Sequence, residues 1–165
     1  MAKHAIFLSG PVGVVKTILG RALAERLAAG FIDGDDFADR NRPWYCSILQ
    51  TSKGIVQAGM ATLKDRESVV VAYPLGCINW IYFKRRFGDA GARPLFVSLR
   101  ASYSSIIDQR RGRTFTSEEH DRIQIMVAEG YGARPFSDLV IDTDKGNLPA
   151  TVAYLETEVW RPIGS

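Results

Sequence analysis

Eight residues, GPVGVVKT from Gly10 to Thr17, constrain the fold of this chain more than any other segment. A short apolar run, Ala5 to Leu8, precedes them, and leucines recur every fourth position after them, from Leu19 to Leu27. The apolar run predicts a buried strand, and the four-residue period predicts a helix. A loop between a strand and a helix with the pattern G-x-x-x-x-G-K-[ST] binds phosphate groups.

The chemistry of such a loop assigns a role to each end of the segment. Backbone N–H groups and the helix N-terminus surround a β-phosphate, Lys16 reaches the β- and γ-phosphate oxygens, and Thr17 ligates Mg²⁺. The nucleotide-binding residues predicted from the motif are Gly10, Pro11, Val12, Gly13, Val14, Val15, Lys16, Thr17 and Ile18.

One position departs from the pattern, because Val15 stands where the second glycine is expected. Glycine permits backbone conformations and close approaches that a β-branched side chain resists. Two functional interpretations follow: an active nucleotide site that tolerates Val15, and a weakened or non-catalytic nucleotide-binding module with a regulatory role. A strand, turn and helix without phosphate chemistry is the plain structural alternative.

Strand-like and helix-like segments alternate along the whole chain, which predicts an α/β fold with a parallel sheet covered on both faces. We expect one domain spanning residues 1–165, because no linker or repeat divides the sequence. The predicted strands are 5–8, 31–32, 68–73, 95–99 and 139–141, and the predicted helices are 17–29, 47–64, 78–87, 102–110, 117–130 and 148–160.

An acidic turn, Phe31 to Phe37 (FIDGDDF), follows the second predicted strand. Ligands of open α/β sheets bind outside the carboxyl ends of the strands, so this turn is expected beside the phosphate loop. Asp33 is the candidate general base or Mg²⁺ partner, and Asp35 is the candidate that holds the hydroxyls of an acceptor. A solvated turn in which an aspartate caps a helix is the alternative, and it fits Asp36 best.

These motifs together resemble the small-molecule P-loop kinases of the gluconate kinase and shikimate kinase type. The resemblance covers about residues 4–155 and rests on GPVGVVKT and FIDGDDF. The segments Arg42-Pro43-Trp44 and SVVVAYPL, which begins at Ser68, are similar to gluconate kinases. Shikimate kinases carry three glycines where this chain has Tyr73 to Gly76, and this difference disfavours shikimate.

The resemblance implies a three-layer P-loop nucleotide-kinase-like fold with a five-stranded parallel sheet and a small lid at about residues 110–118. It implies ATP and Mg²⁺ as cofactors and transfer of a phosphoryl group to a hydroxyl of a small polar metabolite, a sugar acid or polyol. It further implies that the lid arginines, Arg110 and Arg113, are catalytic. It implies that Arg134 and Pro135 contact the adenine and that Arg42 and Trp44 contact the acceptor. For the lid arginines, a solvated basic helix end is the alternative. For Arg134 and Pro135 the alternative is a plain connecting loop, and for Trp44 it is a side chain that anchors a helix in the core.

The composition limits which classes of partner and which cellular compartment fit this chain. The net charge of +3 is too small for a nucleic-acid surface, and no run approaches the roughly 18 apolar residues of a membrane span. The two cysteines suit a reducing compartment. We therefore expect a cytoplasmic monomer or homodimer with a small-molecule substrate and no membrane or nucleic-acid partner. Shikimate kinase and nucleoside monophosphate kinase are the alternative enzymes.

Overall fold

A five-stranded parallel sheet forms the centre of the computed structural model, which describes residues 3–10, 16–38, 41–42, 47–102, 104, 114–131, 134–143 and 148–164. The strand order is β2-β3-β1-β4-β5. The strands are β1 (Lys3–Ser9), β2 (Gly30–Asp33), β3 (Ser68–Ala72), β4 (Ala92–Arg100) and β5 (Leu139–Asp142). The predicted α/β class and five-stranded parallel sheet are confirmed.

Helices cover both faces of the sheet and complete three layers. One apolar core joins the sheet to α1, α4 and α5, and a second joins it to α2 and α3. The helices of the described residues are α1 (Lys16–Leu27), α2 (Ile48–Asp65), α3 (Cys77–Asp89), α4 (Ser117–Ala128) and α5 (Leu148–Gly164), with a 3₁₀ helix at Gly34–Phe37. No helix among these residues is both long and apolar enough to cross a membrane.

β1 is the central strand, and its side chains serve both cores. Ile6 pairs with Val70 of β3 and with Leu95 of β4, and its side chain lies in the core beneath α1. The next residue, Phe7, points to the other face and stacks on Phe83 of α3 with ring centroids 4.9 Å apart. The uninterrupted apolar run of β1, residues 5–8, therefore suits a strand that is buried on both faces.

The strand register brings the phosphate loop and the acidic turn to one edge of the sheet. Ala72 of β3 pairs with Leu8 of β1 on one side and with Asp33 of β2 on the other. The segments that leave these strands therefore start from one row, at the carboxyl edge where open parallel sheets bind ligands.

The first helix ends earlier than the sequence pattern indicates. α1 ends at Leu27 rather than at Ala29, and Ala28 takes a left-handed φ of 53°. Gly30, the residue after the predicted helix 17–29, begins β2, where a Cβ would clash with the methyl group of Thr62. The absence of a side chain at this position thus allows β2 and α2 to pack closely. The predicted helix at 102–110 lies almost entirely outside the described residues.

We predict that Gly59→Ala in α2 lowers the free energy of unfolding by about 1–2 kcal/mol. The added Cβ would lie 2.7 Å from the buried Phe87 ring. Overpacking costs about 1–3 kcal/mol, and the gain in helix propensity returns at most about 1 kcal/mol. Urea unfolding measures the change.

The matched control is Gly88→Ala in α3, where nothing lies within 4 Å of the added Cβ. This variant is expected to gain roughly 0.5–1 kcal/mol from helix propensity alone. Equal changes in the two variants would show that the contact between α2 and α3 is not as close as the structure has it.

Candidate active site

The two ends of the predicted phosphate loop lie against each other. Gly10 follows β1 and Lys16 begins α1, and the Lys16 ammonium donates a hydrogen bond of 3.0 Å to the Gly10 carbonyl. The lysine is only 8% exposed. A Cβ at Gly10 would lie 2.7 Å from the carbonyl oxygen of Leu99, so packing against β4 demands glycine there. The loop residues 11–15, Val15 included, lie outside the described residues.

A direct hydrogen bond joins the first turn of α1 to the acidic turn. The Thr17 hydroxyl donates to Oδ2 of Asp33 at 3.0 Å. The other oxygen of this carboxylate, Oδ1, accepts from the backbone N–H of Asp35 at 3.1 Å and caps the 3₁₀ helix. Both carboxylate oxygens of Asp33 are thus held in place, one by the loop side and one by the acidic turn.

These oxygens fit the requirements of a magnesium ion bound together with a nucleotide. Mg²⁺ takes oxygen ligands and usually keeps several waters, with one or two protein groups and the substrate phosphates completing its shell. Thr17 and Asp33 supply a hydroxyl and a carboxylate 3.0 Å apart beside Lys16. Within the described residues, no group of three or more His, Cys, Asp or Glu side chains gathers as a closed metal cage. The donor set therefore suits a metal carried in with phosphates.

Asp35 lies at the mouth of a neighbouring cavity, and its pKa is raised above the ordinary value of 3.8. Partial loss of hydration is the largest cause, and the charge of Asp33 adds to it. The positive charges of Lys16 and Arg122 oppose the shift. A carboxyl group with a raised pKa in a cavity is a candidate for proton transfer.

The cavity encloses about 580 Å³ next to the acidic turn. Its described walls come from the 3₁₀ helix, the start of α2, the segment after β3 with the start of α3, and one face of α4. The lining residues are Asp35, Ala38, Ser47, Ile48, Tyr73, Pro74, Gly76, Cys77, Ile78, Asn79, Glu119, Arg122, Met126 and Tyr131.

Arg122 of α4 is the basic residue of the described lining. Its charge acts on both Asp35 and Tyr73 and lowers the pKa of each. Burial and the charge of Asp35 act more strongly on Tyr73, so the net effect raises the pKa of its phenol. The cavity therefore contains a positive and a negative group within electrostatic reach of each other.

Hydrogen bonds hold the segment after β3 in a fixed position on the cavity wall. The Leu75 N–H donates to the Ser9 hydroxyl at 2.9 Å, and the Gly76 N–H donates to Oδ1 of Asn79 at 3.1 Å. The Asn79 amide in turn donates to the hydroxyl of Ser52 at 3.2 Å. This wall is anchored both to the end of β1 and to α2.

Sequence reasoning did not identify Arg122 or Tyr73 as cavity residues. A signal existed for the first, because Glu119, Arg122 and Met126 share one face of a helix by their spacing of three and four residues. Nothing local marks Tyr73, which follows a buried strand and reaches the cavity only through the position of β3 between β2 and β1.

Several predicted site residues are exposed, brace the cavity wall or lie outside the described residues. Arg42 is exposed on the surface, as are Ile18 and Pro135. The guanidinium of Arg134 lies 3.9 Å from the centre of the Tyr131 ring, and its Nε donates to the Leu75 carbonyl at 3.3 Å. These contacts brace the cavity wall, and the adenine contact expected of this residue stays a prediction. Residues 11–15, Trp44, Arg110 and Arg113 lie outside the described residues.

No family model matches this sequence, and no curated protein matches it. Solved structures do match over nearly the whole chain. A gluconokinase from Sinorhizobium meliloti 1021 is 22% identical with a TM-score of 0.64, over 96% of this chain and 97% of that one.

Two other similar structures are kinases whose names contain different small molecules. A shikimate kinase from Acinetobacter baumannii in complex with shikimate is 19% identical, with a TM-score of 0.59 over 97% of this chain and 94% of that one. The Mycobacterium tuberculosis APS kinase, in complex with AMPPNP and APS, is 16% identical, with a TM-score of 0.61 over 99% of each chain. The comparisons favour none of the alternatives that the sequence raises, and they specify no acceptor. They show that this chain has the fold of small-molecule P-loop kinases.

Proposed function

We propose that this protein transfers the γ-phosphoryl group of ATP to a hydroxyl of a small molecule. The observation that carries the proposal is the arrangement at the carboxyl edge of the sheet. Lys16 and Thr17 are adjacent in the first turn of α1, and the Thr17 hydroxyl donates to the Asp33 carboxylate. Asp35, two residues further on, lines a cavity of about 580 Å³. A phosphate-binding side next to an acceptor-sized cavity is what phosphoryl transfer requires. Structural likeness to kinases adds support.

On the donor side, the chain supplies charge and position. Lys16 neutralises phosphate oxygens at the N-terminus of α1, where the helix dipole also favours negative charge. Thr17 and Asp33 would hold Mg²⁺, directly or through water. When bound, Mg²⁺ would offset the negative charge that develops on the phosphate groups. Asp33 also positions the backbone of Asp35, so the two sides are coupled through one carboxylate.

On the acceptor side, Asp35 accepts a hydrogen bond from the hydroxyl and takes its proton as the new O–P bond forms. The bond between the γ-phosphorus and the bridging oxygen breaks, and ADP leaves. The sequence suggested Asp33 as either the base or the Mg²⁺ partner, and its two oxygens are engaged by Thr17 and by the backbone of Asp35. This geometry supports Asp33 as the Mg²⁺ partner and Asp35 as the base.

Arg122 of α4 and the lid arginines complete the proposed roles. Arg122 shares the cavity with Asp35 and suits an anionic group on the acceptor or the transferring phosphoryl. Arg110 and Arg113 are proposed to close over the phosphoryl group from the lid and exclude water. Arg42 and Trp44 remain proposed acceptor contacts, and Arg134 and Pro135 remain proposed adenine contacts. A sugar acid or a polyol is the acceptor class that the sequence suggests.

Lys16→Ala is predicted to lower the rate of ATP turnover at least about 100-fold, because removal of one preorganised charge-stabilising donor costs that much. Steady-state release of ADP measures the rate, and titration calorimetry measures binding of ATP with Mg²⁺. Lys53→Ala, at an exposed position of α2, is the matched control and should turn over ATP like the unmodified protein. ATP turnover that survives Lys16→Ala would refute the proposed function. Tight ATP binding without turnover by the unmodified protein would instead indicate a non-catalytic nucleotide-binding module.

Asp35→Asn is predicted to lower kcat by about 10²–10⁴-fold, the usual contribution of a general base. In the unmodified enzyme, kcat/KM should fall as the pH drops through a pKa above 3.8, since only the ionised carboxylate accepts the proton. The pH–rate profile measures this limb. Asp36→Asn, at an exposed neighbouring carboxylate, is the control and should keep its activity.

The raised pKa of Asp35 also predicts an effect on stability. The ionised form is disfavoured in the folded chain, so Asp35→Asn should raise the melting temperature at pH 7. The difference should shrink as the pH falls through the folded pKa and vanish below 3.8, where both states carry a neutral carboxyl. A melting temperature that drops at pH 7 would contradict this account of the cavity.

A further inference from the structure

The wall of the acceptor cavity contains a large apolar component. Five of its described lining residues are wholly apolar: Ala38, Ile48, Pro74, Ile78 and Met126. They come from four separate segments, so the apolar lining is not the by-product of one buried helix face. A cavity for a compound that carries a hydroxyl on every carbon would gain little from such a wall, because each hydroxyl left without a partner costs binding energy.

Ile78 is the most informative of these residues. It lies in the first turn of α3 and is 81% exposed, although its neighbours Asn79 and Leu75 are buried. A large aliphatic side chain at the edge of a ligand cavity gains favourable free energy only when a ligand or a partner covers it. Its place in the cavity lining favours a ligand.

Several polar groups of the described lining are already used to hold the wall. The Asn79 side chain accepts from the Gly76 N–H and donates to the Ser52 hydroxyl. The Glu119 carboxylate accepts from the backbone N–H of Thr116 at 3.1 Å and closes the cap of α4. Besides Glu119, the charged residues of the described lining are Asp35 and Arg122, and Asp35 also lies within electrostatic reach of Lys16 and Asp33.

We infer that the acceptor is an amphipathic alcohol, with one reactive hydroxyl on an apolar body about the size of a ring, rather than a polyol or sugar acid. This inference rests on the proposed function and narrows its substrate class. The hydroxyl binds Asp35, and the apolar body packs against Ile48, Ile78 and Met126. A cavity of about 580 Å³ falls in the range of roughly 300–1,000 Å³ that accommodates ligands of this kind.

The reaction on such an acceptor balances as ordinary phosphoryl transfer. The alcohol loses its proton to the Asp35 carboxylate, its oxygen bonds to the γ-phosphorus, and ADP takes the electron pair of the broken bond. The product is a phosphate monoester. Its added charge makes it more soluble in water than the alcohol, and the apolar wall then favours its release.

The test compares two pairs of acceptors in the same assay with ATP and Mg²⁺. The polar pair is D-gluconate and D-sorbitol, and the apolar pair is 2-phenylethanol and cyclohexylmethanol. ADP release and ³¹P NMR of the monoester report turnover, and ligand-observed NMR reports binding of each probe in the presence of a non-hydrolysable ATP analogue. The variants are Ile78→Asn and, as a matched control one turn along the same helix, Ile81→Asn, which is exposed and outside the cavity lining.

We expect the apolar pair to bind more tightly than the polar pair. Ile78→Asn should weaken binding of the apolar pair, or raise their KM, by about 5- to 20-fold, and Ile81→Asn should leave both within twofold. Turnover of gluconate or sorbitol without the apolar pair would overturn the inference and uphold the proposed function.

If no probe is turned over, binding of the apolar probes tests the inference, and binding of ATP tests the proposed function. Apolar probes that fail to bind, or that bind equally well to Ile78→Asn, overturn the inference. ATP that fails to bind, or binds as well after Lys16→Ala, overturns the proposed function independently. Apolar probes that bind only with Ile78 in place support the inference by themselves.

Discussion

The hydrogen bond from the Thr17 hydroxyl to the Asp33 carboxylate ties the candidate active site together. It links the first turn of α1, where the phosphate loop ends, to the end of β2, where the acidic turn begins. The bond forms because β3 separates β1 from β2 by one strand and aligns Leu8, Ala72 and Asp33 in one row. The second oxygen of Asp33 then sets the backbone of Asp35, which opens into the cavity. Donor and acceptor sides thus share one carboxylate.

The sequence predicted the parts of this arrangement that local chemistry determines. Apolar runs such as 68–73 identified the strands because a strand buried on both faces admits few polar residues. The loop from Gly10 to Thr17 and the turn from Phe31 to Phe37 were recognisable because phosphate and hydroxyl chemistry require those residue types at those spacings. The need for glycine at position 30 could not be predicted, because it comes from a tertiary contact with Thr62 that leaves no local trace.

The acceptor cavity could not be predicted to the same degree. Asp35 and Arg122 are far apart in sequence, and they come within electrostatic reach only because α4 and the acidic turn border the same cavity. The net charge of +3 is a sum over the whole chain, so it does not show that one cavity holds both a positive and a negative group. The apolar wall is likewise assembled from separate segments, so it changes the expected acceptor from a polyol toward an amphipathic alcohol.

Calorimetric titration of the unmodified protein with ATP, in the presence and absence of Mg²⁺, tests the central claim most directly. That claim is that Lys16, Thr17 and Asp33 form one site for a metal-bound nucleotide. We predict binding at a single site that tightens when Mg²⁺ is present, with the Mg²⁺ effect lost in Thr17→Val because the hydroxyl ligand is gone. The absence of ATP binding, or binding of equal strength without Mg²⁺, would contradict the account.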